Sequence, residues 1–151
     1  MWISKNEKQS YNDSAVKGIR LHFTNGITIQ EKFACRKFCY WLVKCYWFPI
    51  RINIKFIDCS YFKAVDGHKY YGIFYANDEY KKRHYPEIRV AVKINSQLDE
   101  YNVFLTIAHE LTHYFQWYFY EEKEKTARSL EVTATRWANY IVSEFYNYCK
   151  V

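Results

Sequence analysis

Glycine and proline are scarce in this chain, with only 4 glycines and 2 prolines among 151 residues. So few turn-forming residues exclude collagen-like and linker-like sequences and favour long regular elements. Hydrophobic residues make up 50% of the chain and aromatic residues 21%, which excludes wholesale disorder. Because internal repeats and Pro/Gly/Ser-rich linkers are also missing, we expect a single domain over residues 1–151, with polar residues 1–17 forming a loose N-terminal arm.

Long apolar runs are missing as well. The longest, from Phe38 to Ile50, is interrupted by Lys44 and is shorter than the roughly 20 residues that a membrane-spanning helix needs. Polar and apolar residues alternate from Trp2 to Lys8, which is unlike a secretory leader. We therefore expect a cytoplasmic protein that does not associate with a membrane.

The cysteines have no C-x-x-C spacing. Their number is odd, so a disulfide framework or a zinc ribbon is disfavoured and reduced core thiols are expected. The five are Cys35, Cys39, Cys45, Cys59 and Cys149.

Acidic residues are outnumbered by basic ones, and the net charge is +6. The basic residues are scattered along the chain, and their densest cluster, Lys81 to His84, has the character of a solvated loop. The charge permits a nucleic-acid partner, but the pattern gives no support for one.

Hydrophobic periodicity predicts an α+β fold. Apolar residues alternate with polar ones from Ile19 to Phe23, which predicts a short strand that ends at the turn Asn25-Gly26. The apolar residues that come next are spaced as in a helix. The predicted order is a helix over 28–47, strands over 50–56, 70–76 and 88–94, and helices over 99–120 and 125–147, joined by a charged turn at 121–125.

The first of the two C-terminal helices contains an H-E-x-x-H motif, formed by His109, Glu110 and His113. Residues four apart on a helix are neighbours, with Cβ atoms about 5–6 Å apart, so the two imidazoles can bind one zinc ion. Glu110 cannot share that position, but its carboxylate can reach a water on the metal. The competing interpretation is two histidines without a metal.

The third ligand has to be sought among downstream glutamates, since no histidine follows His113 and no aspartate follows Asp99. The candidates are Glu121, Glu122 and Glu124 in the charged turn, and Glu131 and Glu144 in the last helix. The metzincin pattern is thereby excluded. Glu131 lies on the same helix face as Ala134, Ala138 and Ile141, so it is predicted to point inward. A buried carboxylate needs a partner. We favour zinc over a plain inter-helix salt bridge.

This combination resembles the gluzincin metallopeptidases, and the spelling His-Glu-Leu-Thr-His is similar to that of the thermolysin group. The small size resembles minimal gluzincins. Phage-repressor-cleaving metallopeptidases are also similar. The resemblance implies a zincin-like α+β fold with a backing helix, a small mainly antiparallel or mixed sheet of three to four strands, an active-site helix, and a C-terminal helix that carries the third ligand.

The resemblance also implies a mechanism. One Zn²⁺ per chain would be held by His109, His113 and Glu131, and Glu110 would act as general base in the hydrolysis of a peptide or protein substrate. The thermolysin group has an aspartate four residues after the ligand glutamate, whereas this chain has Thr135, which we expect to orient a histidine more weakly.

In such enzymes an edge strand pairs with the extended substrate. Gly72 lacks a side chain where a substrate backbone can approach closely. The corresponding segment here consists of Tyr70, Tyr71, Gly72, Ile73, Phe74, Tyr75 and Ala76.

An oxyanion-stabilising residue should exist, but the sequence does not single one out. Tyr140 lies about 180° around the helix from Glu131, and Tyr146 lies about 22 Å along its axis. His84 or a strand tyrosine could serve instead. Two further functions stay open: a zincin-fold binding or regulatory module with little turnover, and a regulated peptidase that cleaves one partner such as a repressor.

Overall fold

The protein combines three helices with two small sheets in the part of the chain that the computed structural model describes, namely residues 1–5, 18–77, 85–120, 123 and 125–150. The α+β class is as predicted. The described strands are β1 (Ile19–Phe23), β2 (Ile52–Asp58), β3 (Phe62–Lys63), β4 (Lys69–Tyr70), β5 (Gly72–Tyr75) and β6 (Glu87–Val92). The helices are α1 (Ile29–Cys45), α2 (Gln97–Tyr118) and α3 (Ala127–Cys149).

The main sheet has the strand order β1-β2-β6-β5 and is mixed. β1, β2 and β6 run parallel, and β5 lies antiparallel to β6. Of the two expected types, mainly antiparallel or mixed, a mixed sheet of four strands is found, and its parallel pairs outnumber the antiparallel one. The reason lies in the connections: α1 returns the chain to the end where β1 began, so β2 has to run parallel to it.

A short hairpin, β3 and β4, leaves the sheet between β2 and β5. Its strands are only two residues each, too short for alternation to reveal them in the sequence. The turn is closed by a hydrogen bond from the Gly67 amide to the Ala64 carbonyl, 2.9 Å long, and Gly67 has φ +89°. Only glycine adopts such a φ without strain.

Helix α1 is tied to the sheet at its first turn. The Thr28 hydroxyl accepts from the Glu31 amide, and the Glu31 carboxylate accepts from the Thr28 amide, which is a capping box. The second oxygen of Glu31 accepts from the Ile94 amide at 2.8 Å. Glu31 is buried, and these bonds satisfy its charge where α1 meets the end of β6.

The core is rich in aromatic rings that join the helices to one another. Phe38 of α1 stacks on Phe104 of α2 at 4.5 Å between ring centroids and meets Phe145 of α3 edge-on at 5.0 Å. Ala134 and Ala138 of α3 are both buried, and Ala138 belongs to the same core cluster as these rings. Small residues at these positions allow α3 to approach α2 closely. None of the described helices has the combined length and apolar character needed to cross a membrane.

Residues 1–5 are not part of a loose arm, contrary to expectation; residues 6–17 lie outside the described part. Trp2 is buried among Tyr46, Phe48 and Phe115, with ring centroids 4.9–6.2 Å apart. Its indole Nε1 donates to the Thr112 hydroxyl at 3.0 Å. An isolated tryptophan in a polar segment has no periodic pattern, so the sequence did not reveal this contact.

Trp2→Ala should lower the free energy of unfolding by about 3–5 kcal/mol, the usual cost of removing a large buried ring. Trp2→Phe is the matched control, because it keeps an aromatic ring but loses the bond to Thr112. Urea unfolding followed by circular dichroism measures both variants. Wild-type stability in Trp2→Ala would show that this ring does not belong to the core.

Candidate metal centre and its clefts

Helix α2 places the three residues of the H-E-x-x-H motif side by side. It begins at an N-cap, Ser96, whose hydroxyl accepts from the Asp99 amide at 3.1 Å. Helical spacing brings His109 Nε2 to 3.2 Å from His113 Nε2. One ligand atom from each of His109, Glu110 and His113 lies within 4.8 Å of the others. These side chains thus form a compact group of potential metal ligands.

Helix α3 adds Glu131 to this group. Its Oε2 lies 3.1 Å from His109 Nε2, and its Oε1 lies 2.8 Å from His113 Nε2. The predicted burial of this carboxylate is wrong, since 61% of its side chain is exposed. The apolar face of α3 is buried from Ala134 onward, but the helix begins at the rim of an open cleft, where Glu131 lies.

A residue that the sequence analysis missed, Gln116, orients the second histidine. Its Oε1 lies 2.7 Å from His113 Nδ1, and its Nε2 donates to the Leu130 carbonyl at 2.9 Å. Gln116 is 2% exposed. The available signal was a polar residue one turn after His113, at i+3 within an apolar stretch.

The predicted orienting residue, Thr135, does not have this role. It borders the cleft beside His109 and Glu131 but is exposed. Its carbonyl accepts from Asn139 Nδ2 at 3.0 Å, and among the described residues its hydroxyl bonds neither histidine. One turn beyond Glu131, the side chain of Thr135 is too short to reach the imidazole that an aspartate was expected to bind.

The hydrogen bonds define where the protons of this group lie. Because the amide nitrogen of Gln116 is bonded to a carbonyl, its oxygen faces His113 Nδ1, and Nδ1 must carry the hydrogen. In the neutral imidazole, Nε2 of His113 then carries no hydrogen and has a lone pair that can accept a hydrogen bond or bind a metal. It lies 2.8 Å from Glu131 Oε1 and 3.2 Å from His109 Nε2, so one carboxylate and two imidazole nitrogens converge.

Burial alters the electrostatics of the two neighbouring motif residues. Desolvation lowers the pKa of His109 below its ordinary value, an effect to which His113 adds and which Glu131 opposes. His109 is thereby held neutral, the form that binds metals. Burial also raises the pKa of Glu110 to about 7, while His113 lowers that pKa and Glu131 raises it. Among the described residues, Glu110 Oε2 has no hydrogen-bond partner.

Two clefts flank this group. One, of about 430 Å³, lies between β5, α2 and α3, and the other, of about 780 Å³, lies between the β3–β4 hairpin and the start of α3. Tyr70, Gly72, Glu110 and Glu131 border both. The clefts therefore adjoin each other at the histidines and follow β5 along its length.

The predicted substrate segment is divided by the structure. Tyr70 ends β4, Tyr71 forms a bend, residues 72–75 are β5, and Ala76 follows the strand. Within the described sheet, β5 is an edge strand that pairs with β6. Phe74 attaches it to α2 through Trp117, with ring centroids 5.9 Å apart.

Gly72 has a different role from the one predicted. A Cβ at this position would lie 2.5 Å from Thr106 Cγ2 and 3.1 Å from Glu110 Cγ. The missing side chain thus allows β5 to lie close to α2, and the space is already filled by that helix rather than left for a substrate.

The candidate oxyanion residues differ in whether they lie beside the two histidines. Tyr140 is exposed on α3 and packs against Trp137, and Tyr146 donates to Glu100 at 3.1 Å, so both are engaged away from the histidines. His84 lies outside the described residues. Tyr70 and Tyr71 both border the smaller cleft beside His109 and Glu110, which leaves the strand tyrosines as candidates.

No protein-family model, no curated protein and no solved structure matches this chain. The chemistry of the site has to be inferred from its own atoms.

Gly72→Ala should destabilise the protein by about 1–3 kcal/mol, because the added methyl group overlaps Thr106. The φ of Gly72 is not in the left-handed region, so the effect is steric rather than conformational. Combining Gly72→Ala with Thr106→Ser removes the overlapping Cγ2 and should restore part of the loss in urea unfolding. Failure of the second substitution to restore any stability would contradict the contact.

Proposed function

We propose that this protein is a zinc-dependent metallopeptidase of the gluzincin type. One observation carries the proposal: Nε2 of His109, Nε2 of His113 and the carboxylate of Glu131 lie 2.8–3.2 Å from one another. Two imidazoles and one carboxylate are a ligand set that holds zinc in catalytic sites, where a fourth position is left open.

The donor set fits zinc in chemistry as well as in number. His113 has its Nδ1 hydrogen engaged by Gln116, which leaves Nε2 as the ligand atom, and burial favours the neutral form of His109. When bound, zinc would supply Lewis acidity, which acidifies water and polarises a carbonyl group. The competing interpretation is a protonated histidine paired with Glu131, and metal analysis distinguishes the two.

Glu110 would act as the general base. It removes a proton from the attacking water and passes that proton to the leaving amine of the cleaved peptide. A pKa near 7 suits this exchange, because the group must both accept and release a proton near neutral pH. Its Oε2, which has no hydrogen-bond partner within the described part of the chain, can receive the proton. An intact base favours an enzyme over a binding module with little turnover.

The substrate that fits is an extended peptide. Edge strands bind such segments through main-chain hydrogen bonds, which are independent of sequence. Strand β5 offers this edge, and the two clefts beside it leave room for side chains on both sides of the histidines. Tyr70 and Tyr71 border the smaller cleft beside His109 and Glu110, and one of them would contact the scissile carbonyl.

Purified protein should contain about one zinc per chain, as expected for three protein ligands. His109→Ala and Glu131→Ala should lose most of it, and Glu131→Gln should lie between, because an amide oxygen is the weaker ligand. Glu110→Gln should keep its zinc while peptide hydrolysis falls by about 10²–10⁴-fold. Elemental analysis and a fluorogenic peptide assay measure the two properties.

Glu144→Ala is the matched control, since Glu144 is exposed on the same helix. It should retain both zinc and activity. Equal zinc in wild type and Glu131→Ala would remove Glu131 from the site. A wild-type protein that binds no zinc on titration would refute the proposed function.

Binding of an uncleaved peptide to Glu110→Gln should slow hydrogen exchange at those amides of β5 that are not bonded to β6. The reason is the backbone pairing that an added strand provides. Mass spectrometry of peptic fragments gives the readout, and β1, at the other end of the described sheet, is the internal control. Peptide binding without protection in residues 72–75 would contradict substrate pairing at this strand.

A further inference from the structure

Gln116 makes two hydrogen bonds that lead to two different parts of the candidate metal centre. Through Oε1 it meets His113 Nδ1 at 2.7 Å, and through Nε2 it donates to the Leu130 carbonyl at 2.9 Å. Leu130 is the residue immediately before Glu131. One buried side chain of α2 therefore contacts a histidine on its own helix and the backbone that carries the glutamate on α3.

The oxygen and the NH₂ group of the Gln116 amide cannot change places. If the amide were reversed, its NH₂ group would face His113 Nδ1 and its oxygen would face the Leu130 carbonyl, leaving two acceptors in contact. The carbonyl of Leu130 has two lone pairs, so it can accept from Gln116 in addition to its bond within α3. The arrangement thus has a single polarity, and that polarity places the hydrogen of neutral His113 on Nδ1.

We propose that Gln116 is the positioning residue of the metal centre: it holds His113 in the tautomer whose Nε2 is free for a metal and fixes the first turns of α3 so that Glu131 lies beside that atom. The proposal deepens the function proposed above and rests on it for the identity of the metal. Gln116 lies at the edge of the larger cleft with only 2% of its surface exposed, and its bonds to His113 and Leu130 are the contacts through which it acts on the site.

The geometry explains why the site needs such a residue. Glu131 is 61% exposed, so its own side chain has little packing to hold it in place. It also lies in the second turn of α3, whose start at Thr126 is capped only locally, by a bond to the Ser129 amide. In addition to the contacts of Glu131 with His109 and His113, the bond from Gln116 to the Leu130 carbonyl joins the described part of these turns to α2.

Three variants separate the two bonds. Gln116→Met has a similar length and volume but makes neither bond. Gln116→Glu can still accept from His113 Nδ1 but cannot donate to Leu130. Gln97→Met is the control, because Gln97 is an exposed glutamine in the first turn of the same helix. Each variant is measured for zinc affinity by chelator competition and, without metal, for the His113 tautomer by ¹⁵N NMR and for hydrogen exchange over 126–131.

Gln116→Met should bind zinc about 10- to 100-fold more weakly, the usual effect of removing an outer contact of a metal site. In the metal-free protein it should show a mixture of His113 tautomers and faster exchange over 126–131. Gln116→Glu should keep the Nδ1–H tautomer but still exchange faster over 126–131. Gln97→Met should match wild type. Gln116 acts partly through Glu131, so the two substitutions should not be independent. The double variant Gln116→Met/Glu131→Ala should therefore lose zinc affinity by a smaller factor than the product of the two single-variant factors.

Two results would overturn the positioning role: an unchanged tautomer in metal-free Gln116→Met, or wild-type zinc affinity in that variant. A general loss of stability is distinguished from positioning because it would not select between tautomers. If wild type itself binds no zinc, the proposed function fails, while the metal-free tautomer and exchange data still decide whether Gln116 orients His113 and α3.

Discussion

The close packing of α2 against its neighbours is the constraint on which the site depends. Gly72 lets β5 lie against the helix on one side, with no room for a Cβ beside Thr106 and Glu110. On another side, α3 contributes the buried small residues Ala134 and Ala138. Larger residues at these positions would move the strand or α3 outward. Glu131 would then lie too far from the histidines, because its carboxylate oxygens now lie only 3.1 Å from His109 Nε2 and 2.8 Å from His113 Nε2.

Burial around α2 also determines the charge distribution of the site. Glu110 is 7% exposed and its pKa rises to about 7, whereas Glu131, on the open side, keeps 61% of its side chain in solvent. Two carboxylates that are neighbours in space therefore have different properties. The buried one is suited to exchanging a proton near neutral pH, and the exposed one lies beside both histidines, where the proposed metal would be held.

Much of this architecture follows from local patterns in the sequence. The α+β class, the three helices and strands β1, β2 and β6 are visible as periodicity, and the H-E-x-x-H spacing brings His109 and His113 together on any helix. Parallel pairing, the β3–β4 hairpin and the burial of Trp2 could not be predicted, because each depends on contacts between distant segments. The same holds for Gln116 and for the exposure of Glu131: helical periodicity identifies a face, but not where the neighbouring helix ends.

The burial of Trp2 has a consequence for how the protein folds. Its indole is bonded to Thr112, a residue of the H-E-x-x-H motif itself, across 110 positions of sequence. Bringing together two residues that are so far apart in the sequence costs the chain conformational entropy. Such contacts slow the search for the native topology. During synthesis Trp2 leaves the ribosome well before its partner exists, so the back of α2 cannot be completed until the helix has emerged. The contact between Trp2 and α2 therefore forms only after the chain has been synthesised beyond Thr112.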